Sequence, residues 1–221
     1  MLPAMSQHPP QAAATAPSAL PVATRASSVQ PVADNAEELA LCQRVAAGDE
    51  RAFEVLVDRY QHRVFGFCAR MLGDRAEAED IAQDVFVTLY KSAGNFRGDA
   101  AFSTWLFRVA KNQTLNRIKY LERRGRSARR RDIEGDERVA RLEDHETVRP
   151  DDAVADRQQA AMVQEAINEL AEEHRAVVVL RDMEDLSYDE ISDITGLPLG
   201  TVKSRIHRAR SALAKRLSRI F

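Results

Sequence analysis

An all-α fold of two small helical domains joined by a flexible linker is predicted by three features of the 221-residue chain. Apolar residues recur at intervals of three and four from Glu37 to about Arg123 and again after Asp156, the spacing that lines one face of a helix. No strand-like alternation of useful length occurs in either stretch. Between them lies a charge-rich segment without apolar periodicity, the signature of a linker. Composition agrees with a globular class: 44 % of residues are apolar and 30 % are charged, which excludes collagen-like and disulfide-scaffold proteins. No apolar run approaches the ~18 residues of a membrane-spanning helix.

The net charge of −2 hides a partition along the chain. Six of the eight prolines fall in the first 31 residues, where Arg25 is the only charge. Such a segment buries too little apolar surface to offset its ordering entropy, so residues 1–36 read as a disordered tail. It makes a poor signal peptide. No basic residue precedes its apolar part, and Pro3, Pro9, Pro10, Pro17 and Pro21 interrupt any apolar helix.

The first domain, 37–122, should be a helical bundle. Phe53, Leu56, Val57, Tyr60, Val64, Cys68, Met71 and Leu72 form one stripe, which Gly73 ends. Ala78, Ile81, Ala82, Val85, Phe86 and Leu89 repeat the spacing. The run Gly94–Asp99 is rich in turn residues. A further helix starts near Ser103 and carries Trp105, Leu106, Val109, Leu115 and Ile118. Cys42 and Cys68 sit among apolar residues at helical positions and form no CxxC or Cys/His cluster. That is the pattern of two buried thiols in a reducing compartment; redox sensing needs exposure and thiolate character besides.

The linker, 123–157, is basic and then acidic. Residues 117–131 hold eight Lys or Arg against one Glu, and residues 132–157 hold ten acids against four Arg. The second domain, 158–221, resumes the helical pattern with Ala160, Val163, Ile167 and Leu170, then Val177, Val178 and Leu180.

Its C-terminal part is the most informative stretch. Ser187 and Glu190 stand at capping-box spacing, so each side chain can satisfy the other's backbone N–H. A short helix follows with Ile191 and Ile194 inward, Gly196 supplies a sharp turn, and Pro198 or Thr201 opens another helix. Short helix, glycine turn and basic helix make a helix-turn-helix pattern. On the second helix Val202, Ile206, Ala209, Leu213, Leu217 and Ile220 fall on one side. Lys203, Ser204, His207, Arg208 and Ser211 fall on the other, with Arg205 and Arg210 on the flanks. From Thr201 onward there are seven Lys or Arg and no acid. An apolar back with a basic front suits a DNA major groove: flank arginines hold phosphates and front residues reach base edges. No second His stands at metal-ligand spacing on this helix, so no metal is expected.

A second candidate surface lies in GNFRGDAAFSTWLFRVAKN. Phe96, Phe102 and Trp105 alternate with Arg97, Arg108 and Lys111. Aromatics interleaved with cations can stack on unpaired bases and hold the backbone between them. The same spacing of Phe102, Trp105 and Phe107 also suits a core. The basic run after Tyr120 can add salt-sensitive phosphate contacts or simply be a solvated helix end.

Three motifs, AEDIAQDVFVTLYK, NFRGDAAFSTWLFRVAKN and SYDEISDITGLPLGTVKSRIHRAR, carry a family resemblance. The chain resembles bacterial RNA polymerase sigma factors of the extracytoplasmic-function group, over about residues 37–122 (region 2) and 160–218 (region 4). The resemblance implies a non-catalytic, cytoplasmic initiation subunit without cofactor or small-molecule substrate. Its implied partners are core RNA polymerase, promoter DNA and an anti-sigma factor, in a stress or extracytoplasmic response. Asp80, Gln83, Asp84 and Phe86 align with the helix that docks on the clamp helices of the largest polymerase subunit; region 4 would meet the flap of the second-largest. Asn95, Phe96, Arg97, Asp99 and Ala101 align with the loop that captures a flipped base of the −10 element. Phe102, Thr104, Trp105, Arg108, Lys111 and Asn112 align with the helix facing the melting duplex. Thr201, Lys203, Ser204, Arg205, His207, Arg208 and Arg210 align with the helix that reads the −35 element. His207 departs from the aromatic residue often found at its position. The acidic linker would let the two domains span both elements while its charge mimics nucleic acid in a basic channel.

Two other readings compete. A free-standing helix-turn-helix regulator would carry a dimer helix or a ligand pocket, and no segment in 37–122 resembles a ligand domain. A DNA-acting enzyme would need a nucleophile beside clustered arginines or a carboxylate cluster for metal. Neither arrangement stands out, and no GxxxxGK[ST] loop is present.

Overall fold

Eight α-helices and one short 3-10 turn build the described part of the chain in a computed structural model. The backbone is described over residues 35–132 and 152–219, and the side chains over 35–125 and 160–219. The expected tail, all but its last two residues, and the middle of the expected linker lie outside the described residues, as does Ile220. In order the elements are α1 (Asn35–Ala46), α2 (Glu50–Leu72), α3 (Arg75–Ser92), the 3-10 turn (Ala93–Asn95), α4 (Phe102–Asp132), α5 (Asp152–Asn168), α6 (Glu172–Asp182), α7 (Tyr188–Thr195) and α8 (Leu199–Leu217). Among the described residues there is no strand, and no helix is long and apolar enough to cross a membrane.

Local chemistry sets the boundaries. Asp49 precedes α2 and its carboxylate accepts from the N–H groups of Arg51 and Ala52 at 3.1 and 3.2 Å. These are two of the donors that a helix start leaves unpaired. Arg44 grips the same carboxylate at 2.7 and 2.9 Å, and these bonds, first among several, hold Asp49 below the usual carboxylate range. Gly73 ends α2 in the left-handed region, φ 69°, with its N–H on Ala69 O at 2.8 Å. Asp74 then caps α3 through Glu77 N at 2.9 Å. The helix expected to fade near Arg123 continues to Asp132. The Arg-rich run has good helix propensity, so it propagates the helix without an apolar stripe.

Region 2 packs Leu56, Val64, Phe67 and Met71 of α2 against Val85 and Leu89 of α3 and Phe102, Leu106 and Phe107 of α4. Phe67 and Phe107 meet edge-on at 5.7 Å. Both cysteines are buried, and burial pushes the Cys42 thiol up to about 12 and Cys68 up to about 11. Neither carries the thiolate character that redox sensing needs. Glu38 is also buried; it accepts from the Tyr60 hydroxyl, and burial raises its carboxyl above the ordinary value.

Region 4 closes on Ile167, Leu170, Val177, Leu180, Ile191, Ile194, Val202 and Ile206. All described residues belong to one compact unit, and the apolar cores of both regions join in a single cluster. The two regions therefore sit against each other here, where the sequence pattern alone suggests separate bodies on a linker. Arg175 Nη1 donates to Met71 O at 2.5 Å and Gln164 Nε2 donates to Arg70 O at 3.1 Å. Together they supply partners for carbonyls in the last turn of α2, which the helix itself leaves free.

Candidate nucleic-acid interface

The capping box at α7 forms as its spacing predicts. Glu190 N donates to Ser187 Oγ at 3.2 Å, and Ser187 N donates to Glu190 Oε2 at 2.8 Å. Gly196 ends α7 at φ 71°, a turn that few residues other than glycine enter readily. Pro198 stands one residue before α8, and its carbonyl accepts from Thr201 N and Val202 N at 2.8 and 3.1 Å. Val202, Ile206 and Ala209 are buried and Leu213 and Leu217 are half-buried, so the back of α8 rests on the core.

The front of α8 divides into free and engaged cations. Lys203, Ser204, His207 and Arg208 are exposed. Among the described residues no acid pairs with Lys203, His207 or Arg208; Lys203 Nζ lies 6.0 Å from the Tyr188 ring centre. Ser204 Oγ bonds Thr201 O at 3.0 Å. The flank arginines are placed differently from the phosphate-holding role their position suggests. Arg205 pairs with Glu173 at 2.9 Å, and Arg210 is held by both carboxylate oxygens of Asp182. The hydrogen bonds Arg210 donates to Asp182 raise it above its ordinary value. The acids come from α6, a helix whose sequence carries no sign that it flanks α8.

In region 2 the loop between α3 and α4 presents alternating side chains. Asn95, Arg97 and Asp99 are exposed, and Ala101 is half-buried. Phe96 and Phe102 are buried and meet edge-on at 5.3 Å; Trp105 packs on both, at 5.7 and 5.8 Å, and is half-buried. As placed, Phe96 and Phe102 are core residues and offer no free face to a base. The core reading of this aromatic spacing wins because three rings close the end of the bundle together.

Of the α4 residues expected to face DNA, Asn112 lies exposed, while three others turn to region 4. Arg108 Nη2 donates to Asp193 O at 2.7 Å and Lys111 Nζ donates to Ile194 O at 3.1 Å. Thr104, only 1 % exposed, bonds Glu190 Oε1 at 3.5 Å. The two cations thus sit on carbonyls in the last turn of α7, the partially negative end of a helix. Burial lowers Lys111 below the ordinary lysine value. A second tie escaped sequence reasoning: Arg63 of α2 donates through Nε to Glu184 Oε2 at 3.0 Å and through Nη2 to Glu184 O at 3.3 Å. A sequence separation of 121 leaves no local pattern to read.

On α3, Asp80, Gln83 and Asp84 are exposed on one face. Phe86, grouped with them by resemblance, instead turns inward at 9 % exposure beside Val85 and Leu89. The outward face carries Val87 and Tyr90, 48 % and 43 % exposed, as its apolar component. Two exposed apolar residues on an otherwise polar helix face were the available signal for them.

Family comparisons match both regions. The Sigma-70 region 2 model covers residues 56–124, and the Sigma-70 region 4 model covers 160–213. The chain is 40 % identical over 185 residues to the RNA polymerase sigma-H factor of Pseudomonas aeruginosa, covering 80 % of this chain and 92 % of that one. It is 37 % identical over 177 residues to the ECF RNA polymerase sigma-E factor of Escherichia coli, covering 78 % and 90 %. Among solved structures it is similar to CnrH in complex with the cytosolic domain of CnrY, with 26 % identity, a TM-score of 0.59, and coverage of 82 % of this chain and 97 % of that one. The chain belongs to the sigma-70 family of RNA polymerase sigma factors, in its extracytoplasmic-function group.

Proposed function

We propose that this sigma factor docks on core RNA polymerase through the outward face of α3 and directs initiation by reading two promoter elements, without performing catalysis itself. Asp80, Gln83 and Asp84 supply polar contacts to the clamp helices of the largest subunit, with Val87 and Tyr90 as the apolar centre; region 4 meets the flap of the second-largest. Lys203, Ser204, His207 and Arg208, with Thr201 at the helix start, read the −35 element. Asn95, Arg97, Asp99 and Ala101 capture a −10 base, and Trp105, Arg108, Lys111 and Asn112 hold the adjoining duplex. The observation that carries this reading is the exposed cationic front of α8, which no acid among the described residues engages at Lys203, His207 or Arg208, on an apolar back set by a formed capping box and glycine turn.

Arg108 and Lys111 cannot hold phosphates while they sit on α7 carbonyls, so region 4 must swing away before the −10 element binds. The family resemblance supplies an anti-sigma factor as the partner that holds the chain inactive, and a cytoplasmic location beside the polymerase. The reading is tested by promoter-specific transcription with purified core polymerase, with and without the protein and with Arg208→Ala. Initiation that requires the protein and falls in the variant supports it. Specific DNA binding without core, and no initiation from any genomic template, would move the assignment to a free-standing regulator.

A further inference from the structure

The loop that joins α3 to α4 is fixed at two points, and the second comes from α1. Phe96 anchors one side in the aromatic cluster. Gly98 anchors the other: Asn35 Nδ2 donates to Gly98 O at 3.0 Å across 63 residues of sequence. Gly98 adopts φ 79°, and a Cβ there would meet Leu39 Cδ2 at 3.2 Å, so Leu39 lies directly under the loop. Between and beyond these points Arg97 and Asp99 are held outward.

The other amide atom of Asn35 strengthens the case. Among the described residues, Asn35 Oδ1 is buried with no hydrogen-bond partner. A buried acceptor left unmatched carries a cost that a small apolar side chain would avoid. Turning the amide over would set its oxygen against the Gly98 carbonyl, so the donor's only available orientation is the one seen. Among the described residues, the polar contact this side chain makes is therefore with the loop.

We infer that Asn35, supported by Leu39, is a positioning residue for −10 recognition: it sets the backbone at Gly98 so that Arg97 and Asp99 are presented to the captured base. The inference rests on the proposed base-capturing role of this loop. Capture of an extruded base requires a pocket whose walls are already in place, because unstacking the base is itself costly. A loop freed at Gly98 would sample other conformers and lose both affinity and discrimination.

The test uses the full chain with core polymerase on a promoter library randomised through the −10 element, with the −35 element constant. Asn35→Ala and Asn35→Asp both remove the donor, and Asp keeps the size and is favourable in a first helical turn. Both should lower output from the preferred −10 sequence roughly fivefold, the worth of one neutral hydrogen bond, and flatten the base preference at the captured position. Asn35→Gln, which keeps the donor on a longer stem, should recover part of the preference. Core binding and −35 preference should match the parent. Arg97→Ala and Asp99→Ala are run beside them. If these loop variants change the base preference and the Asn35 variants do not, the inference is overturned and the loop reading stands. If neither set changes it, the loop is not the reader and both statements fall.

Discussion

Replacing Arg63 with alanine removes the α2 side chain that hydrogen-bonds the Glu184 carboxylate, and with it two hydrogen bonds that tie region 2 to region 4. The Glu184 side chain is 8 % exposed, while that of Arg63 is 40 % exposed. Removing one member of a fully buried pair costs about 3–5 kcal/mol, chiefly because the other charge is left uncompensated. Here half-exposed Arg63 is already partly compensated by water, and Arg70 remains as a weaker partner for Glu184, so about 2 kcal/mol is the reasonable figure. That penalty applies to the closed arrangement alone, because separation returns Glu184 to water. It shifts the closed-to-open ratio roughly 30-fold.

The shift is read as a distance distribution between labels on Glu79→Cys of α3 and Ser211→Cys of α8, both at exposed positions. The native thiols do not compete, since burial pushes them up to about 12 and about 11. The variant should show a longer, broader distribution at unchanged helical content, and initiation in the absence of any inhibitory partner should rise. Identical distributions in variant and parent, with helicity intact, would falsify the role given to this contact.

Other expectations follow from the same structure. Burial pushes the Glu184 carboxyl above the ordinary glutamate value. A group raised in the closed form favours closure fully below its ordinary value, and that contribution is lost as pH rises through the raised one. The closed fraction should therefore fall from acid toward neutral pH, and Glu184→Gln should abolish that slope; an unchanged slope in the variant would exclude Glu184 as its source. Ser187→Ala removes half of the capping box and should cost about 1 kcal/mol, seen as a lower thermal midpoint and weaker −35-dependent initiation. Arg208→Ala should reduce −35-dependent transcription about tenfold, the worth of a good base-edge contact. Arg210→Ala should reduce it less, because Asp182 already engages that side chain; equal losses would show that Arg210 leaves Asp182 for DNA.

What could be read from the residues and what could not divide along one physical line. Side-chain periodicity has a local signature, so the stripe through Leu56, Tyr60 and Val64, the Ser187 capping box and the apolar back of α8 are all legible in the sequence. The same local logic fails for an aromatic beside cations. Phe96, Phe102 and Trp105 have one spacing whether they stack on a base or on each other, and only the packing of the bundle end decides. It fails again for contacts that use backbone acceptors. Arg108, Lys111, Arg175 and Gln164 all donate to carbonyls in the last turns of helices, and a carbonyl has no residue identity to read. The polar part of the closure of region 4 on region 2 is built largely from such contacts, together with the distant Arg63–Glu184 pair. Those contacts put the cations proposed for promoter phosphates on helix-end carbonyls first. On the proposed function the two sets of acceptors are alternatives for the same donors, so closure and promoter binding compete, and whatever stabilises one must weaken the other.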